Sequence, residues 1–218
     1  MTSDELVAVS SSLDPAQAEQ LYRLGIFPMP IAGGFGWFFP AKRAVVILGE
    51  WQLRCPRSTA QLLRGYRIGV DVDPLAVVWA CATTPRSGGW IDSSMIEYYR
   101  ALQGLSLLHS VEVRTVDGEL VGGLFGVSAG DVFVGESMFH RVTNASKLAF
   151  FALTRLTLEL GYRIIDGQWP TGHLMKLGFR ALEGEAYAAL LARSPAASPR
   201  PFPVGLLEND WLRLRAPV

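Results

Sequence analysis

The sequence is poor in cysteine and in charged residues. It has only two cysteines, Cys55 and Cys81, among 218 residues, too few and too unpatterned for a disulfide framework or a zinc site. Charged residues make up 18% of the chain and hydrophobic residues 50%, a balance typical of globular rather than disordered proteins. A chain of this length buries enough apolar surface to fold without a disulfide or a metal.

Long apolar runs and an excess of positive charge are also missing. The longest apolar stretches, such as 75–81 and 148–153, are far shorter than a bilayer span. The first residues lack the basic lead and apolar core of an export signal, so we expect a cytoplasmic protein without membrane contact. Twenty basic and twenty acidic residues cancel, and any contact with RNA must therefore be local.

The N-terminal part of the chain predicts one helix and then an irregular segment. Asp14 as N-cap and Pro15 at the first helical position favour a helix that ends at Gly25. Residues 27–40 hold three prolines, three glycines and five aromatic residues, so we expect an ordered loop there. We expect two domains, a small one over residues 1–42 and a larger one over residues 43–218.

Helical and strand patterns alternate through the larger domain. Two tight turns, one at Asp117-Gly118, join three consecutive strands. A long helix with Asn144 as its cap follows them and ends at Gly161. This order predicts an α/β or α+β fold with a mixed sheet. The predicted strands are 44–48, 66–72, 109–115, 120–127, 132–138, 162–166 and 179–182, and the predicted helices are 58–64, 74–82, 92–102, 144–161 and 171–177.

The meander, long helix, strand and short helix resemble the fold of the Gcn5-related N-acetyltransferases. Those enzymes bind acetyl-CoA with a Gln/Arg-x-x-Gly-x-Gly/Ala loop before the long helix, whose backbone amides hold the pyrophosphate. The corresponding loop here, residues 141–146, reads Arg-Val-Thr-Asn-Ala-Ser and contains no glycine. We therefore expect this fold without acetyl-CoA as donor, and no cofactor.

Several sequence blocks resemble the leucyl/phenylalanyl-tRNA–protein transferases in order and spacing, from about Leu13 to Tyr187. The colinear order makes this resemblance more specific than any single motif. The blocks are 21–28 (Leu-Tyr-Arg-Leu-Gly-Ile-Phe-Pro), 37–40, 43–45, 89–91 (Gly-Trp-Ile), 101–113, 119–127, 135–149 and 165–178.

The resemblance implies an enzyme that transfers Leu, Phe or Met from an aminoacyl-tRNA to the α-amine of a protein beginning with Arg or Lys, marking that protein for degradation. The partners implied are the 3′ acceptor end of the tRNA and the N-terminus of the acceptor. An aminoacyl ester is already activated, so positioning and electrostatic stabilisation are the main requirements. About a seventh of α-amines with a pKa of about 7.7–8.0 are unprotonated at pH 7, so a strong base is unnecessary.

Three residues are the catalytic candidates that the resemblance implies: Asp166, Gln168 and Glu136. Asp166 and Gln168 lie two positions apart at a strand end, where an extended backbone places both side chains on one face. Asp166 would orient a group or accept a proton, and Gln168 would contact the amine or the carbonyl. Spacing alone equally fits a turn-forming Asp166 and a loop amide. Glu136 suits an incoming Arg or Lys, or is simply a solvated strand residue.

Seven residues are the substrate-binding candidates. The resemblance places Leu124, Phe133, Met138 and Leu153 around the amino-acid side chain, although such an apolar stripe is also typical of a core. Tyr22 and Trp90 would flank the terminal adenosine, where an aromatic ring stacks on a base, or else pack within loops. Met29 stands in the same site where the family usually has Trp. Lys147, in the first turn of the long helix, is placed near a phosphate or serves the helix alone.

Two alternative functions stay open at this stage. Met29 and the Phe38-Phe39 pair depart from the family pattern, and Lys176 stands where Ser is common. These departures allow a small-molecule amine as acceptor in place of a protein. A module that binds aminoacyl-tRNA or a degron without catalysis is the other alternative, and the presence of Glu136, Asp166 and Gln168 together argues against it. The three histidines show no spacing typical of a triad or a metal site.

Overall fold

A computed structural model of the chain describes residues 5–50, 55–85, 89–193 and 200–207. The described part is a mixed α/β fold with one sheet of three strands and one of eight. Residues 1–4 of the predicted small domain, and 51–54, 86–88, 194–199 and 208–218 of the predicted larger domain, lie outside the described ranges.

The three-stranded antiparallel sheet is formed by β1 (Leu6–Ser10), β2 (Phe27–Ile31) and β3 (Gly34–Phe38), in the order β1-β3-β2. A 3-10 turn (Pro15–Gln17) and α1 (Ala18–Arg23) connect β1 to β2, with the Asp14 side chain accepting from the Ala16 N–H. The loop predicted over residues 27–40 is therefore wrong. Prolines are tolerated in β2 because it is an edge strand. On its unpaired side, a missing N–H breaks no hydrogen bond to a neighbouring strand.

The eight-stranded sheet has the order β10-β4-β9-β8-β7-β6-β5-β11. All neighbours pair antiparallel except β8 and β9, which are parallel. The mixed sheet predicted from the sequence is confirmed. Its strands are β4 (Lys42–Ile47), β5 (Tyr66–Val70), β6 (Leu108–Thr115), β7 (Leu120–Ala129), β8 (Val132–His140), β9 (Ile164–Asp166), β10 (Arg180–Glu183) and β11 (Gly205–Leu207).

Helices cover both faces of this sheet, and each face has its own apolar cluster. Leu124 and Phe125 are consecutive in β7 but belong to different clusters, as the alternation of a strand requires. One cluster contains α3 and α4, the other α5. The helices are α2 (Arg57–Ala60), α3 (Pro74–Thr83), α4 (Ser93–Gly104), α5 (Ala145–Leu160), α6 (Gly172–Lys176) and α7 (Gly184–Leu191).

Local capping explains where three of these six helices begin. The side chains of Asp73, Asp92 and Thr171 each accept a hydrogen bond from a first-turn N–H, as expected for N-cap residues. Asn144 occupies the predicted N-cap position of α5, but its backbone is left-handed with φ 68° and its side chain makes no capping bond. The side chain at the N-cap position therefore does not cap the first turn of α5.

The unequal lengths of β8 and β9 open a space in the sheet. Pairing between them ends at Val134 and Asp166, while β8 continues to His140. Beyond that point the chain after β9 stays with β4, because Gly167 N–H donates to the Ala44 carbonyl and Ala44 N–H to the Gln168 carbonyl, each at 2.8 Å. The second half of β8 therefore diverges from its former neighbour, and the candidate site lies in this gap.

Candidate functional site

A cavity of about 280 Å³ occupies the gap between β8 and the end of β9. Residues 135–138 of β8 form one side, and Gly167 and Gln168 form the other. The remaining lining is mostly apolar and comes mainly from α5, α6 and β7. These further lining residues are Trp90, Leu124, Phe125, Phe150, Leu153, Ile165, Thr171, His173, Leu174 and Phe179.

Glu136 lies at the polar end of this cavity and is 8% exposed. Tyr22 Oη donates to its Oε1 at 2.7 Å, and Tyr99 Oη donates to its Oε2 at 3.0 Å. Gln168 Nε2 also donates to Oε2, at 3.3 Å. A carboxylate has about four lone-pair positions, so these three donors leave room for one more hydrogen bond from a ligand.

Burial changes the acidity of Glu136. Removal from water raises its pKa from 4.5 to about 7, against the lowering effect of the hydrogen bonds from Tyr22, Tyr99 and Gln168; the nearby Asp166 charge raises the pKa further. At neutral pH the carboxyl group is therefore divided between its two protonation states. A group with this property exchanges a proton readily with a bound amine.

Asp166 is fully buried in an ion pair with Arg43, which is also buried. Arg43 Nε lies 2.7 and 2.9 Å from the two carboxylate oxygens, and Nη2 lies 2.5 Å from Oδ2. Tyr187 Oη donates to Oδ2 at 2.7 Å, and Arg43 Nη1 donates to the Gly25 carbonyl at 2.8 Å. The Arg43 guanidinium also lies 4.8 Å from the ring centres of both Phe27 and Tyr187. Asp166 therefore belongs to a satisfied internal network and does not line the cavity.

Asp166 and Gln168 do not share a face as predicted, because the chain is not extended there. Gln168 has φ 62°, in the left-handed region, and its backbone N–H donates to Asp166 Oδ1 at 2.7 Å. This is a turn held by an aspartate side chain, one of the alternatives that spacing allowed. The turn separates the two side chains: Asp166 contacts Arg43, whereas Gln168 reaches Glu136.

The substrate-binding candidates divide into two groups. Leu124, Met138, Leu153 and Trp90 line the cavity, with Trp90 edge-on to Tyr99 at 6.4 Å between ring centres. The other three candidates do not line it. Phe133 packs against Phe202 in the apolar cluster of α5, Met29 is buried in β2, and Tyr22 is fully buried beneath Glu136. A ring as buried as that of Tyr22 cannot stack on a nucleotide base in this structure.

Several residues of the site were not singled out by sequence analysis. Arg43 and Tyr187 hold Asp166, and Tyr99 holds Glu136. Tyr99 gave a detectable signal, since it lies on the apolar face of a predicted helix, where a tyrosine hydroxyl needs a polar partner. Nothing local distinguishes Arg43, which follows Lys42 at the start of a strand.

A larger cavity of about 440 Å³ lies elsewhere in the fold, and none of the predicted site residues lines it. Its most prominent polar pair is already satisfied, because His109 Nδ1 lies 2.7 Å from Asp71 Oδ2 and the imidazole stacks on Phe202. Within the described ranges, no group of His, Cys, Asp and Glu residues is placed to hold a metal ion. No helix in those ranges is long and apolar enough to cross a membrane.

The smaller cavity combines an apolar chamber with one polar end. Leu124, Leu153 and Phe150 suit an apolar side chain. Because Gln168 Nε2 donates to Glu136, its Oε1 is directed elsewhere and is free to accept from a bound N–H. The arrangement can therefore hold an apolar acyl group beside an amine, with an amide oxygen and a carboxyl group to orient the amine and take its proton.

Comparison with known proteins gives a consistent result. The family model for leucyl/phenylalanyl-tRNA protein transferases matches residues 46–192. A leucyl/phenylalanyl-tRNA–protein transferase from Pseudomonas putida is 42% identical, over 86% of this chain and 84% of its own length. The enzyme of that name from Nitrosospira multiformis is also 42% identical, over 85% and 81%. Among solved structures, L-PGS from Bacillus licheniformis is 14% identical, with a TM-score of 0.44 over 61% of this chain and 48% of its own, too distant to support a conclusion.

Proposed function

Since the chain belongs to the leucyl/phenylalanyl-tRNA–protein transferase family, we propose that it transfers Leu, Phe or Met from aminoacyl-tRNA to the α-amine of proteins that begin with Arg or Lys. The observation that carries the proposal is the cavity between β8 and β9, whose lining is mostly apolar and at one end of which Glu136 and Gln168 meet. The reaction takes place in the cytoplasm, where aminoacyl-tRNA is made. Such a modification marks the acceptor protein for degradation.

The cavity suits one amino-acid side chain as donor group. Its volume of about 280 Å³ is just below the range of about 300–1,000 Å³ typical of pockets for whole small molecules. Leu, Phe and Met side chains are unbranched at Cβ and apolar, so their transfer from water into such a chamber is favourable. The terminal adenosine then remains at the mouth, where Trp90 supplies an aromatic ring.

The chemistry requires one bond to form and one to break. The α-amine nitrogen attacks the ester carbonyl carbon, and the bond from that carbon to the ribose oxygen breaks. Gln168 Oε1 accepts a hydrogen bond from the amine and so aims its lone pair at the carbonyl. Glu136 takes the proton that the amine loses and returns it to the ribose oxygen, for which a pKa of about 7 is well matched. Asp166 contributes by holding the turn at Gln168.

The acceptor preference has a simple electrostatic basis. An N-terminal Arg or Lys brings a second positive charge close to Glu136, and the negative charge of this carboxyl group attracts such a cation without a direct hydrogen bond. An N-terminal acidic residue would instead be repelled. The same argument applies to a small diamine, so the small-molecule acceptor is a distinct outcome of the test.

The test is a transfer assay with labelled aminoacyl-tRNA. Purified protein is mixed with Leu-, Phe- or Met-tRNA and with peptides that differ only in their first residue: Arg, N-acetyl-Arg or Glu. We expect label on the Arg peptide alone. Transfer to a small diamine but to no peptide would replace the proposed acceptor, and absence of any transfer by folded protein would overturn the proposal.

A further inference from the structure

Tyr98 carries a hydroxyl group that is buried without a hydrogen-bond partner. The residue lies on the buried face of α4 and is 4% exposed. Its Oη forms no hydrogen bond with any residue in the described ranges. A buried polar group without a hydrogen bond destabilises a fold, and native proteins rarely keep one. Phenylalanine would fill the same space without this cost, so we expect the hydroxyl group to bind something.

The Tyr98 ring packs beside the residues that hold Glu136. Tyr98 and Tyr99 are consecutive in α4, with their ring centres 5.8 Å apart. Tyr99 Oη donates to Glu136 Oε2, and Tyr22 Oη donates to Oε1. All three tyrosines belong to the same apolar cluster. Two of these neighbouring hydroxyl groups therefore bind the carboxyl group directly, and the third does not.

The pKa values of the tyrosines agree with this arrangement. Burial raises the pKa of Tyr98 well above its usual value, and the charges of Glu136 and, to a smaller extent, Asp14 raise it further. Tyr98 in turn raises the pKa values of Tyr22 and Tyr99, after larger contributions from burial and from Glu136. The Tyr98 hydroxyl group therefore lies near the Glu136 carboxyl group but beyond direct hydrogen-bond distance.

Glu136 has a free position that matches the free hydroxyl group. Tyr22 donates to Oε1, whereas Tyr99 and Gln168 both donate to Oε2. Each carboxylate oxygen has about two lone-pair positions, so the free position is on Oε1. Buried water molecules typically join two or more polar groups that have no other partner. A water molecule thus fits the chemistry of both groups.

We propose that, in the free protein, a buried water molecule joins the Tyr98 hydroxyl group to Glu136 Oε1 and that Tyr98 thereby stabilises the charged form of Glu136. Tyr98 is then a positioning residue that acts through this water. A hydrogen bond to a carboxylate favours its charged form, so the water opposes the effect of burial. In the proposed reaction the acceptor amine takes the position of the water. The inference itself concerns only the acidity of Glu136.

The test follows the acidity of Glu136 through unfolding and needs no transfer. Free energies of unfolding in urea are measured between pH values of about 6 and about 9 for wild type and Tyr98→Phe. The matched control is Tyr66→Phe, which removes the hydroxyl group of a partly buried tyrosine in β5. The same two substitutions are also measured in a Glu136→Gln background.

The Glu136→Gln background isolates the titration of one group among several that face it. The three tyrosines of α1 and α4 stay protonated in this pH window, because burial and the charge of Glu136 raise their pKa values above 10. At the end of β9, Asp166 is ion-paired with Arg43, and Gln168 carries no charge. A pH-dependent effect that disappears in this background therefore acts through Glu136.

Loss of a hydrogen bond to a charged group raises the pKa of Glu136 by about one unit. The folded Tyr98→Phe protein then keeps the proton to higher pH than wild type does. Its unfolding equilibrium constant, relative to that of wild type, should rise about tenfold as pH increases through the window. We expect no such rise for Tyr66→Phe, and none for Tyr98→Phe in the Glu136→Gln background. A crystal structure should show the water within hydrogen-bond distance of both groups.

Three results would overturn the inference: a Tyr98→Phe difference that does not change with pH, the same pH dependence in the Glu136→Gln background, or a Tyr98 hydroxyl group with no water beside it. The proposed function is judged separately. A protein that shows the expected pH dependence but transfers no aminoacyl group would uphold the role of Tyr98 and reject the proposed function.

Discussion

Glu136 and Gln168 share one hydrogen bond, and this bond decides which way the Gln168 amide faces. With Nε2 on Glu136 at 3.3 Å, Oε1 is left to accept from an amine. The two hydroxyl groups of Tyr22 and Tyr99 hold Glu136 in turn. At the scale of single residues, the proposed chemistry therefore depends on a carboxyl group placed by two tyrosines and an amide placed by that carboxyl group.

Replacing Glu136 by Gln is expected to separate its catalytic role from its effect on stability. The variant loses the proton acceptor, and we expect kcat for transfer to fall about 100-fold, the lower end for general acid–base catalysis. The wild-type rate should rise with pH through about 7, where Glu136 and the acceptor amine both lose protons. The remaining rate of the variant should follow the amine alone. An unchanged kcat would exclude Glu136 as proton acceptor.

The same variant should change how stability depends on pH. Between 4.5 and about 7 the folded protein keeps a proton on Glu136 that the unfolded chain has released, so wild-type stability falls as pH rises through this window. The difference between these pKa values corresponds to about 3 kcal/mol. Urea unfolding at several pH values should show that the free energy of unfolding of Glu136→Gln, relative to that of wild type, rises by up to about 3 kcal/mol between pH values of about 5 and about 8. If the difference in unfolding free energy between the variant and wild type does not change with pH, burial does not raise the pKa of Glu136 as described.

Gln168 combines a functional side chain with an unfavourable backbone conformation. At φ 62° a residue with a Cβ is strained, and strain of this kind concentrates at functional sites. We expect Gln168→Ala and Gln168→Gly both to lose transfer, because both lack the amide. Gln168→Gly should be more stable than Gln168→Ala by about 1 kcal/mol in urea unfolding, since glycine adopts this φ without cost. Equal stabilities would show that the turn is unstrained.

At the scale of elements, the buried pair of Arg43 and Asp166 joins β4 to β9 and fixes where β9 stops. Sequence reasoning placed both strands correctly from their apolar patterns. The resemblance placed Asp166 among the catalytic candidates, whereas its ion pair with Arg43, 123 positions away, leaves no trace in a local pattern. The loop predicted over residues 27–40 was wrong for a related reason. Prolines exclude a central strand but are tolerated in an edge strand, and the sequence pattern does not show which strand lies at an edge.

Removing one partner of this pair should be severe. Arg43→Met leaves Asp166 as an unpaired charge in the core, which costs about 3–5 kcal/mol. The double variant Arg43→Met/Asp166→Leu removes both charges and should recover at least half of that loss, measured by urea unfolding. Lys42→Met is the matched control, since its exposed ion pair with Glu183 is worth at most about 1 kcal/mol.

Activity distinguishes the two roles of the pair. The double variant lacks the acceptor for the Gln168 N–H, so transfer should stay low even where stability returns. Recovery of both stability and transfer in the double variant would show that Asp166 serves the core alone. Equal unfolding midpoints for the single and double variants would contradict the assignment of Arg43 and Asp166 as an ion pair that stabilises the core.

At the scale of the whole molecule, the family and the mixed α/β class could be predicted, whereas the cavity could not. The blocks that carry the resemblance are local and colinear, so one sequence is enough to recognise them. The cavity instead arises because β9 ends at Asp166 while β8 runs on to His140, a difference between distant segments. Apolar periodicity could not separate Leu124 and Leu153, which line the cavity, from Phe133, which packs in the core.

The predicted division into residues 1–42 and 43–218 stays a prediction. Contacts between the two parts are extensive, since Tyr22 reaches Glu136 and Arg43 reaches the Gly25 carbonyl. If the N-terminal part mainly serves to hold Glu136 and the Arg43 network, Tyr22→Phe should weaken transfer while leaving unchanged the binding of a single-stranded oligoribonucleotide that ends in CCA.

The central claim is that the donor amino acid occupies the cavity between β8 and β9, with its carbonyl at Gln168. A crystal structure with a non-hydrolysable phenylalanyl-adenosine analogue tests this claim most directly. We predict the phenyl ring among Leu124, Phe150 and Leu153, and the acyl carbonyl within hydrogen-bond distance of the Gln168 and Glu136 end. A phenyl ring bound in the 440 Å³ cavity beside His109 and Phe202, with the smaller cavity empty, would contradict it.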